Sequence, residues 1–490
     1  MKRYLMILAG VCVLLLAVGP VLTVFGQEGG DLEMSCNGLS DADCQILIDA
    51  TAAMQDVHSF SMPAWAIDLN LNAGEQSVKF ATNGHGAVAL PQSLMGLMAD
   101  MQNITDFTDM DAIITAYQQL NADLLLQALS ELGLYMAIEH AAIQAPDQTA
   151  SGSADLIYKD KGLYLRLESP NGAEAWFGDM LKLTEADLAE FDVSLAEMMT
   201  QLQSEEFQQG WAQMSEFTGL SQQVTDLVNK YIVTTRGEDV DMMGQTMIVF
   251  TTAFDLKGLL SDPELAALIM DFIQNPALAE LGAEMGDLEG VNETQIQFVL
   301  MTVSLLLQEA SFSAEQWVGA DDLYLHKFAM NASLKLDMSL LGANTEAESV
   351  AGSSSFSVEM ANFNEDVMAD VEVPAEYYSL DDTDDFLMGS ADMIEQELTI
   401  GQTFAASFTD ESDEQDIYSL VLDGGQSVDI ELESDDYPYL NLYGPDGFLV
   451  GEFDTYDTDS LQFTAEEAGT YLIAIEAYWE MDYEITIRAQ

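Results

Sequence analysis

Apolar and polar residues alternate singly through several stretches of the chain, and between those stretches apolar residues recur every three or four positions. From Gly152 to Trp176, two alternating runs (Ala154–Tyr158 and Leu163–Leu167) flank the polar turn Lys159-Asp160-Lys161-Gly162. A second turn, Pro170-Asn171-Gly172, leads on to Ala175-Trp176-Phe177. Alternation at period two puts one set of side chains on one face, so this stretch predicts an antiparallel meander. Ala64–Asn72 has the same pattern: Trp65, Ile67, Leu69 and Leu71 point one way, and Asp68, Asn70 and Asn72 the other. It turns through Asn72–Glu75 into Ser77–Thr82, with Phe80, and an extended run to Leu90. Further ribbons follow at Tyr231–Thr235 and Gly244–Leu256, where Ile248, Phe250 and Phe254 alternate against Val249 and Thr251. Later strands are expected at Glu315–Val318, Leu323–Met338 (Phe328, Met330, Ala332, Leu334 and Leu336 alternating) and Ser355–Asn362.

Helical periodicity fills the gaps. Ser40 caps a helix running to about Val57. Helical segments are expected from Gln92 to about Ala142 (around Leu94–Met101, Met110–Leu120 and Leu124–Leu132), from Thr184 with breaks to Lys230, and from Asp262 to about Glu309. Within the last block, Ile296–Leu307 is apolar nearly all round and too short to span a bilayer. Phe298, Met301 and Leu305 should therefore be buried in protein or in bound lipid. A sheet with one apolar face needs a cover. Helices rich in Leu and in some of the chain's 27 Met can supply it, either by filling a core or by lining a cavity.

After Asp381-Asp382-Thr383-Asp384-Asp385 the pattern becomes one of short strands at regular spacing: Thr403–Phe408, Asp416–Leu422, Gln426–Glu433, Tyr439–Tyr443, Leu449–Phe453, Leu461–Thr464, Thr470–Ala477 and Tyr483–Arg488. The turns Asp423-Gly424-Gly425 and Gly444-Pro445-Asp446-Gly447 are well marked. An all-β sandwich follows. The fold class is thus α+β: antiparallel sheets wrapped around apolar helices, then an all-β sandwich domain. Its parts are residues 1–26 (export signal or uncleaved anchor), 27–57 (N-terminal segment and helix), 58–380 (sheet body with inserted helices, the half-barrel that the family resemblance given below implies), 381–394 (acidic linker) and 395–490 (sandwich).

Charge and cysteines place the chain outside the cell. Lys2 and Arg3 precede a long apolar run, then Gly19-Pro20 and Gly26, the pattern of a secretory signal cleaved after Gly26. The run is long enough to leave an uncleaved anchor open. Cys12 sits inside the run, which excludes lipidation there. Cys36 and Cys44 remain as an even pair, expected to form a disulfide. With 13 Lys+Arg against 85 Asp+Glu the formal charge is −72, which repels phosphate backbones and anionic lipid surfaces and so excludes nucleic acid as a partner. The acidic loops Asp410–Asp416 and Asp454–Asp459 leave Ca²⁺ open, though neither matches an EF-hand and solvated acidic loops are the plainer account. No other cofactor is indicated.

Four stretches of the body, ADLIYKDKGLYLRL followed by Trp176, YIVTTRGEDVDMMGQTMIVFTTAFDL, EQWVGADDLYLHKFAMNASLKLDM and FSVEMANFNEDVMADVEVPAE, together with the element order, resemble the lipoprotein-carrier superfamily. That group includes the periplasmic lipoprotein carrier and the mycobacterial glycolipid-binding lipoproteins. The resemblance implies a half-barrel closed by helices around a cavity for acyl chains. The chain departs from the mycobacterial members in lacking their lipid-attachment Cys. The C-terminal phrases DIYSLVLDGGQSVDIELE, YLNLYGPDGFLV and AGTYLIAIEAYWEMDYEITI are similar to the bacterial pre-peptidase C-terminal domain, with Asp416, Tyr418, Gly425, Tyr443, Gly447, Gly469, Tyr471 and Tyr483 at its recurring positions. That likeness implies an accessory or surface-binding module in an exported bacterial protein.

No catalytic motif accompanies it. The four His (His58, His85, His140, His326) form no HExxH, and GxSxG and GxxxxGK[ST] are absent. The expected function is non-enzymatic: an extracellular or cell-surface protein that binds or carries a lipid or other apolar small molecule, with a cell-surface partner open to the C-terminal module. The cavity candidates are Trp65, Ile67, Leu69, Leu71, Phe80, Trp176, Ile248, Phe250, Phe298, Met301, Leu305, Phe328 and Met330. The alternatives are a structural or adhesive surface protein with a filled core and, less favoured, a secreted hydrolase.

Overall fold

The structure, a computed structural model, describes residues 36–74, 76–93, 122–145, 149–180, 204, 223, 226–274, 293–337, 349–389, 391–408, 415–434, 437–454, 460–477 and 481–490. The signal or anchor at 1–26, the helices expected around Leu94–Met101 and Met110–Leu120, nearly all of the block from Thr184, and most of the two acidic loops lie outside these residues. Among the described residues no helix is long and apolar enough to cross a membrane. The strands are predominantly antiparallel, in a large sheet and further smaller ones. Two compact units result: Met1–Glu75, Val88–Leu132 and Lys182–Val367 in one, and Gln76–Ala87, Gly133–Leu181 and Met368–Gln490 in the other.

In the first unit, strands β1 (Ser59–Ala73), β7 (Ile232–Arg236), β8 (Val240–Met242), β9 (Gln245–Phe254), β10 (Leu307–Gly319), β11 (Leu325–Asp337) and β12 (Ser349–Ala361) are numbered along the chain. They lie side by side in the order β1-β12-β11-β10-β9-β7, with β8 also on β9. The helices are α1 (Asp41–Gln55), α2 (Ala122–Glu131), α3 (Leu256–Leu260), α4 (Pro263–Gln274) and α5 (Glu293–Leu306). Ser40 caps α1, its hydroxyl accepting from the Asp43 amide at 3.2 Å. The Cys36–Cys44 disulfide joins the turn before α1 to its first residues. That turn is held against β7: Asn37 Nδ2 donates to the carbonyls of Asn229 (3.1 Å) and Ile232 (2.7 Å). Gly38 has φ of +94°, and a Cβ there would meet the Thr234 carbonyl at 2.8 Å, so only glycine fits.

The apolar stretch Ile296–Leu307 does not stay helical to Glu309. Helix α5 ends at Leu306 and β10 begins at Leu307. Periodicity cannot place such a change of state inside an unbroken apolar run. A second revision concerns Gly133–Gln144, read as part of a helical block. It is strand β3. Its Ala137, Ala141 and Ala142 favour helix locally, but pairing along β4 (Thr149–Lys159) overrides that preference.

The second unit contains β2 (Gln76–Ala89), β3, β4, β5 (Gly162–Glu168) and β6 (Glu174–Met180), ordered β6-β5-β4-β3-β2. The meander seen in the alternation is thus β4-β5-β6. Asp160 (φ 52°) and Lys161 (φ 65°) make the tight turn between β4 and β5. The C-terminal strands are β13 (Ile394–Leu398), β14 (Thr403–Phe408), β15 (Gln415–Leu422), β16 (Ser427–Ser434), β17 (Tyr439–Tyr443), β18 (Leu449–Asp454), β19 (Ser460–Thr464), β20 (Gly469–Glu476) and β21 (Met481–Ala489). They form two sheets, β13-β15-β20-β17-β18 and β14-β21-β16-β19. Eight match the expected strands to within two residues at each end. The ninth, β13, pairs parallel with β15. Its residues Ile394-Glu395-Gln396-Glu397-Leu398 carry little apolar signal of a strand.

Asp381–Asp385 lie in a 3-10 turn, Leu380–Asp385, with a capping box on Ser379. The residues after it return to the meander of the same unit. Phe177 is fully buried and meets the rings of Phe386 (5.4 Å), Tyr378 and Phe448 (both 5.9 Å). Asn171 Nδ2 is within 3.3 Å of the carbonyls of Gly444, Pro445 and Thr470. Lys159 Nζ donates to those of Met368 (2.8 Å) and Val371 (2.7 Å).

Inside the sandwich a buried carboxylate joins the two sheets. Asp416 on β15 accepts from the Tyr483 hydroxyl on β21, and the Tyr418 and Tyr483 oxygens are 2.5 Å apart. Burial pushes both phenols up, so they remain protonated, and burial likewise holds Asp416 above the ordinary carboxylate range. A raised folded pKa favours the protonated native form. The contribution of Asp416 to stability is therefore full below its unfolded value, near 3.8, and is lost as pH rises through the raised one. The difference in melting temperature between wild type and Asp416→Asn should move in favour of wild type as pH falls from 7 toward 4. Thermal melts of both proteins across that range test it, and a pH-independent difference would refute it.

Candidate functional site

The register of the first unit sorts its side chains cleanly. Directly opposed residues share a face, and one row across the sheet reads Trp65, Val358, Phe328, Gln316, Phe250. The next reads Ile67, Phe356, Met330, Ala314, Thr252, and the third Leu69, Ser354, Ala332, Phe312, Phe254. The intervening rows carry the polar set, among them Asp68, Ser355, Asn331, Ser313 and Thr251. One face is therefore almost wholly apolar. The reading of single strands assigned the correct side to Trp65, Ile67, Leu69, Leu71, Phe250, Phe328 and Met330, and Ile248 joins them opposite Val318.

Burial along this face is graded. Phe250, Phe328 and Met330 are nearly inaccessible, with Trp65 and Ile248 close behind. Ile67, Leu69 and Leu71 are half-buried, and the far end emerges at Leu334 and Val350. Helix α1 covers the buried end with Leu47, Ala50 and Met54 over Val318 and Leu325, leaving a pocket with room for water rather than an acyl chain. The helical residues 226–229 before β7 and helices α3 and α4 seat Leu227, Leu259 and Leu268 beside Phe254.

Helix α5 buries Ile296 and Ser304, the latter 3.4 Å from Ser261. Its other stripe is bare: Phe298 is 63%, Met301 52% and Leu305 66% exposed. The three are spaced three and four apart, hence on one side of the helix. They were expected to be buried in protein or in bound lipid; among the described residues protein does not cover them, and they form an exposed apolar ridge. Phe80 and Trp176 belong to the second unit. Trp176 opposes Arg166, which binds Asp155 at 2.6 Å, so it shares a polar row, while its neighbour Phe177 takes the apolar side.

Charge lies at the rim of the apolar face. Arg236, opposite Phe250 on β7, binds Asp43 (2.7 Å) and Asp239 (2.9 Å). The Arg236 hydrogen bond, with help from Ser40, holds Asp43 below the usual carboxylate range. Tyr231 donates to Asp262 at 2.6 Å, and that bond is the main reason its phenol is pushed up to about 12. One polar atom on the face itself has no partner: the Trp65 indole Nε1 is buried without a hydrogen bond, a deficit of about 1–3 kcal/mol for a typical buried donor. No pattern in the sequence marks that deficit, nor the place of Gln316 in an otherwise apolar row.

Outside this face, His85 Nδ1 lies 3.0 Å from Glu139 and Nε2 3.3 Å from the Tyr135 hydroxyl, an exposed group on β2 and β3 that sequence reasoning missed because its members are fifty residues apart. Among the described residues no three His, Cys, Asp or Glu side chains gather as a metal site.

No protein-family model matches the chain, and no curated protein matches it. Solved structures are similar over parts of it. The pre-peptidase C-terminal domain of collagenase from Bacillus anthracis aligns at 14% identity, covering 19% of this chain and 95% of that one, with a TM-score of 0.17. Aeromonas hydrophila PliG, a periplasmic inhibitor of g-type lysozyme, aligns at 17% identity over 19% of this chain and 96% of its own, TM-score 0.16. Mycobacterium tuberculosis lipoprotein LppX aligns at 10% identity over 67% of this chain and 98% of its own, TM-score 0.21. At such scores these likenesses decide nothing about ligand or location.

The graded face separates two kinds of substitution. Phe328→Ala removes a buried ring and should cost about 3–5 kcal/mol. Met301→Gln with Leu305→Gln should change stability by no more than about 0.5 kcal/mol per site while lowering the fluorescence gained by an apolar dye. Denaturant titrations and dye binding on the two variants check this contrast.

Proposed function

We propose that the chain is an exported, non-enzymatic protein that binds a lipid or other apolar small molecule on the apolar face of its first unit, with the C-terminal sandwich as an accessory module. The observation that carries this reading is the combination of an apolar sheet face whose burial fades from Phe328 to Leu334 and an apolar ridge, Phe298-Met301-Leu305, left bare on α5. A face that only closed a core would be covered throughout, and an exposed helix would ordinarily be polar on its outer side. Export rests on the N-terminal signal pattern and on the Cys36–Cys44 bond, which suits an oxidising compartment. The second reading, a structural or adhesive surface protein with a filled core, draws on the water-sized pocket under α1.

Organic extraction of the purified protein followed by mass spectrometry should yield a stoichiometric apolar compound, and a fluorescent acyl probe should bind the extracted protein saturably. No extracted compound together with no saturable binding would favour the structural reading.

A further inference from the structure

We infer that the outer face of one sandwich sheet docks a basic polypeptide, whose Lys or Arg side chains sit between Tyr439 and Glu476. This partner is independent of any apolar ligand on the first unit. In the sheet β13-β15-β20-β17-β18, Tyr418, Leu440, Phe453 and Ile475 turn into the core. Their neighbours in sequence therefore face outward. Leu387, Met393 and Ile394 cover the middle of that outer face, over Ile417, Leu472 and Tyr443. The row beyond them reaches solvent: Gln415, Glu476 and Tyr439 stand side by side, and the next row ends in the half-buried Asn441 and the exposed Glu452. Tyr439 is 43% exposed, and Tyr437, two residues earlier across the buried Pro438, is 61% exposed. Glu476 is held in place. Gln415 Nε2 (3.0 Å) and Asn441 Nδ2 (3.3 Å) both donate to its Oε1, which leaves Oε2 for an incoming donor.

Charge selects the occupant. No strand of this sheet carries Lys or Arg. Between Lys335 and Arg488 the chain has neither, and Arg488 lies on β21 in the other sheet, bound to Glu431. The carboxylates of this face are felt within it: burial, then the charges of Glu476, Asp385 and Glu452, push the Tyr443 phenol up to about 12. A cationic side chain gains twice here, from the carboxylate and from the π face of the neighbouring ring. A neutral glycan would stack on the rings but gain nothing from the charge, and nucleic acid is repelled. The shape suits a chain rather than a small molecule. Adjacent strands lie about 4.8 Å apart, so three side by side make a flat strip about 10 Å wide, whereas small molecules fill concave pockets. Exposed Tyr on such a strip is the residue type that anchors protein partners.

Fluorescein-labelled oligolysine, titrated against the full chain at physiological salt, tests this. It should bind saturably, and Glu476→Gln should weaken it about fivefold. Glu484→Gln removes the same charge from the exposed face of the other sheet and should change affinity by less than about twofold. Tyr439→Ala should also cost about fivefold and Tyr439→Phe less than about twofold, because the ring and not the hydroxyl holds the cation. Equal losses from Glu476→Gln and Glu484→Gln, or no loss from Tyr439→Ala, reduce the interaction to diffuse charge and overturn the site, as does failure to bind. A labelled neutral oligosaccharide that binds and is lost with Tyr439→Ala, while oligolysine binding is kept, overturns it in favour of a glycan. If a variant does not fold, carbodiimide coupling of oligolysine to the native protein decides. Crosslinks concentrated at Glu476 and Glu452 support the site, and crosslinks spread evenly over the acidic surface overturn it.

Discussion

Everything in the first unit depends on strand register. The rows that carry Trp65, Val358, Phe328 and Phe250 to one side also carry Lys327, Glu359 and Val249 to the other, and a slip of one residue would exchange the two sets. The penalty for such a slip is large because polar residues such as Asp68, Asn331 and Ser355 would then meet the side where α1 and the Leu227 cluster dock. The apolar face is in this sense what drives folding of the unit. Where helices reach it the face is core, and where they do not its apolar side chains, such as Leu334 and Val350, stay exposed.

Strands were the legible part. Alternation marked both members of nearly every hairpin, because a half-buried strand must write its two environments into neighbouring residues. The sandwich was clearest, since turns such as Gly444-Pro445-Asp446-Gly447 bracket its strands. Legibility failed where local preference and tertiary pairing disagree. Ala137 and its neighbours read as helix but pair with β4, and β13 earns its place by lying parallel to β15 rather than by any pattern of its own. It failed again at Leu306–Leu307, where helix passes to strand with no polar residue to mark the change.

The candidate site was legible as a list of residues and not as an arrangement. Eight of its members share one face, as alternation within each strand predicts, but which strands adjoin could not be read from any of them singly. Phe298, Met301 and Leu305 show the opposite limit. Their apolar character was evident, while their exposure follows from which side of α5 meets α3 and α4. The unpaired indole of Trp65 is invisible to pattern altogether, because a tryptophan in an alternating run looks the same whether or not its N–H is satisfied.

The glycine at the end of the Gly444–Gly447 turn has a wider bearing. A Cβ on Gly447 would fall 2.6 Å from the Phe386 ring and 3.1 Å from Ser169, so the turn closes directly on residues from two distant parts of the same unit. With Phe177 lodged among Phe386, Tyr378 and Phe448, the sandwich and the meander share one aromatic core rather than sitting as beads on a string. A gene fragment beginning after the acidic run would leave behind half of that aromatic nest, and an evolutionary shuffle of the sandwich alone would have to invent a new lining for it.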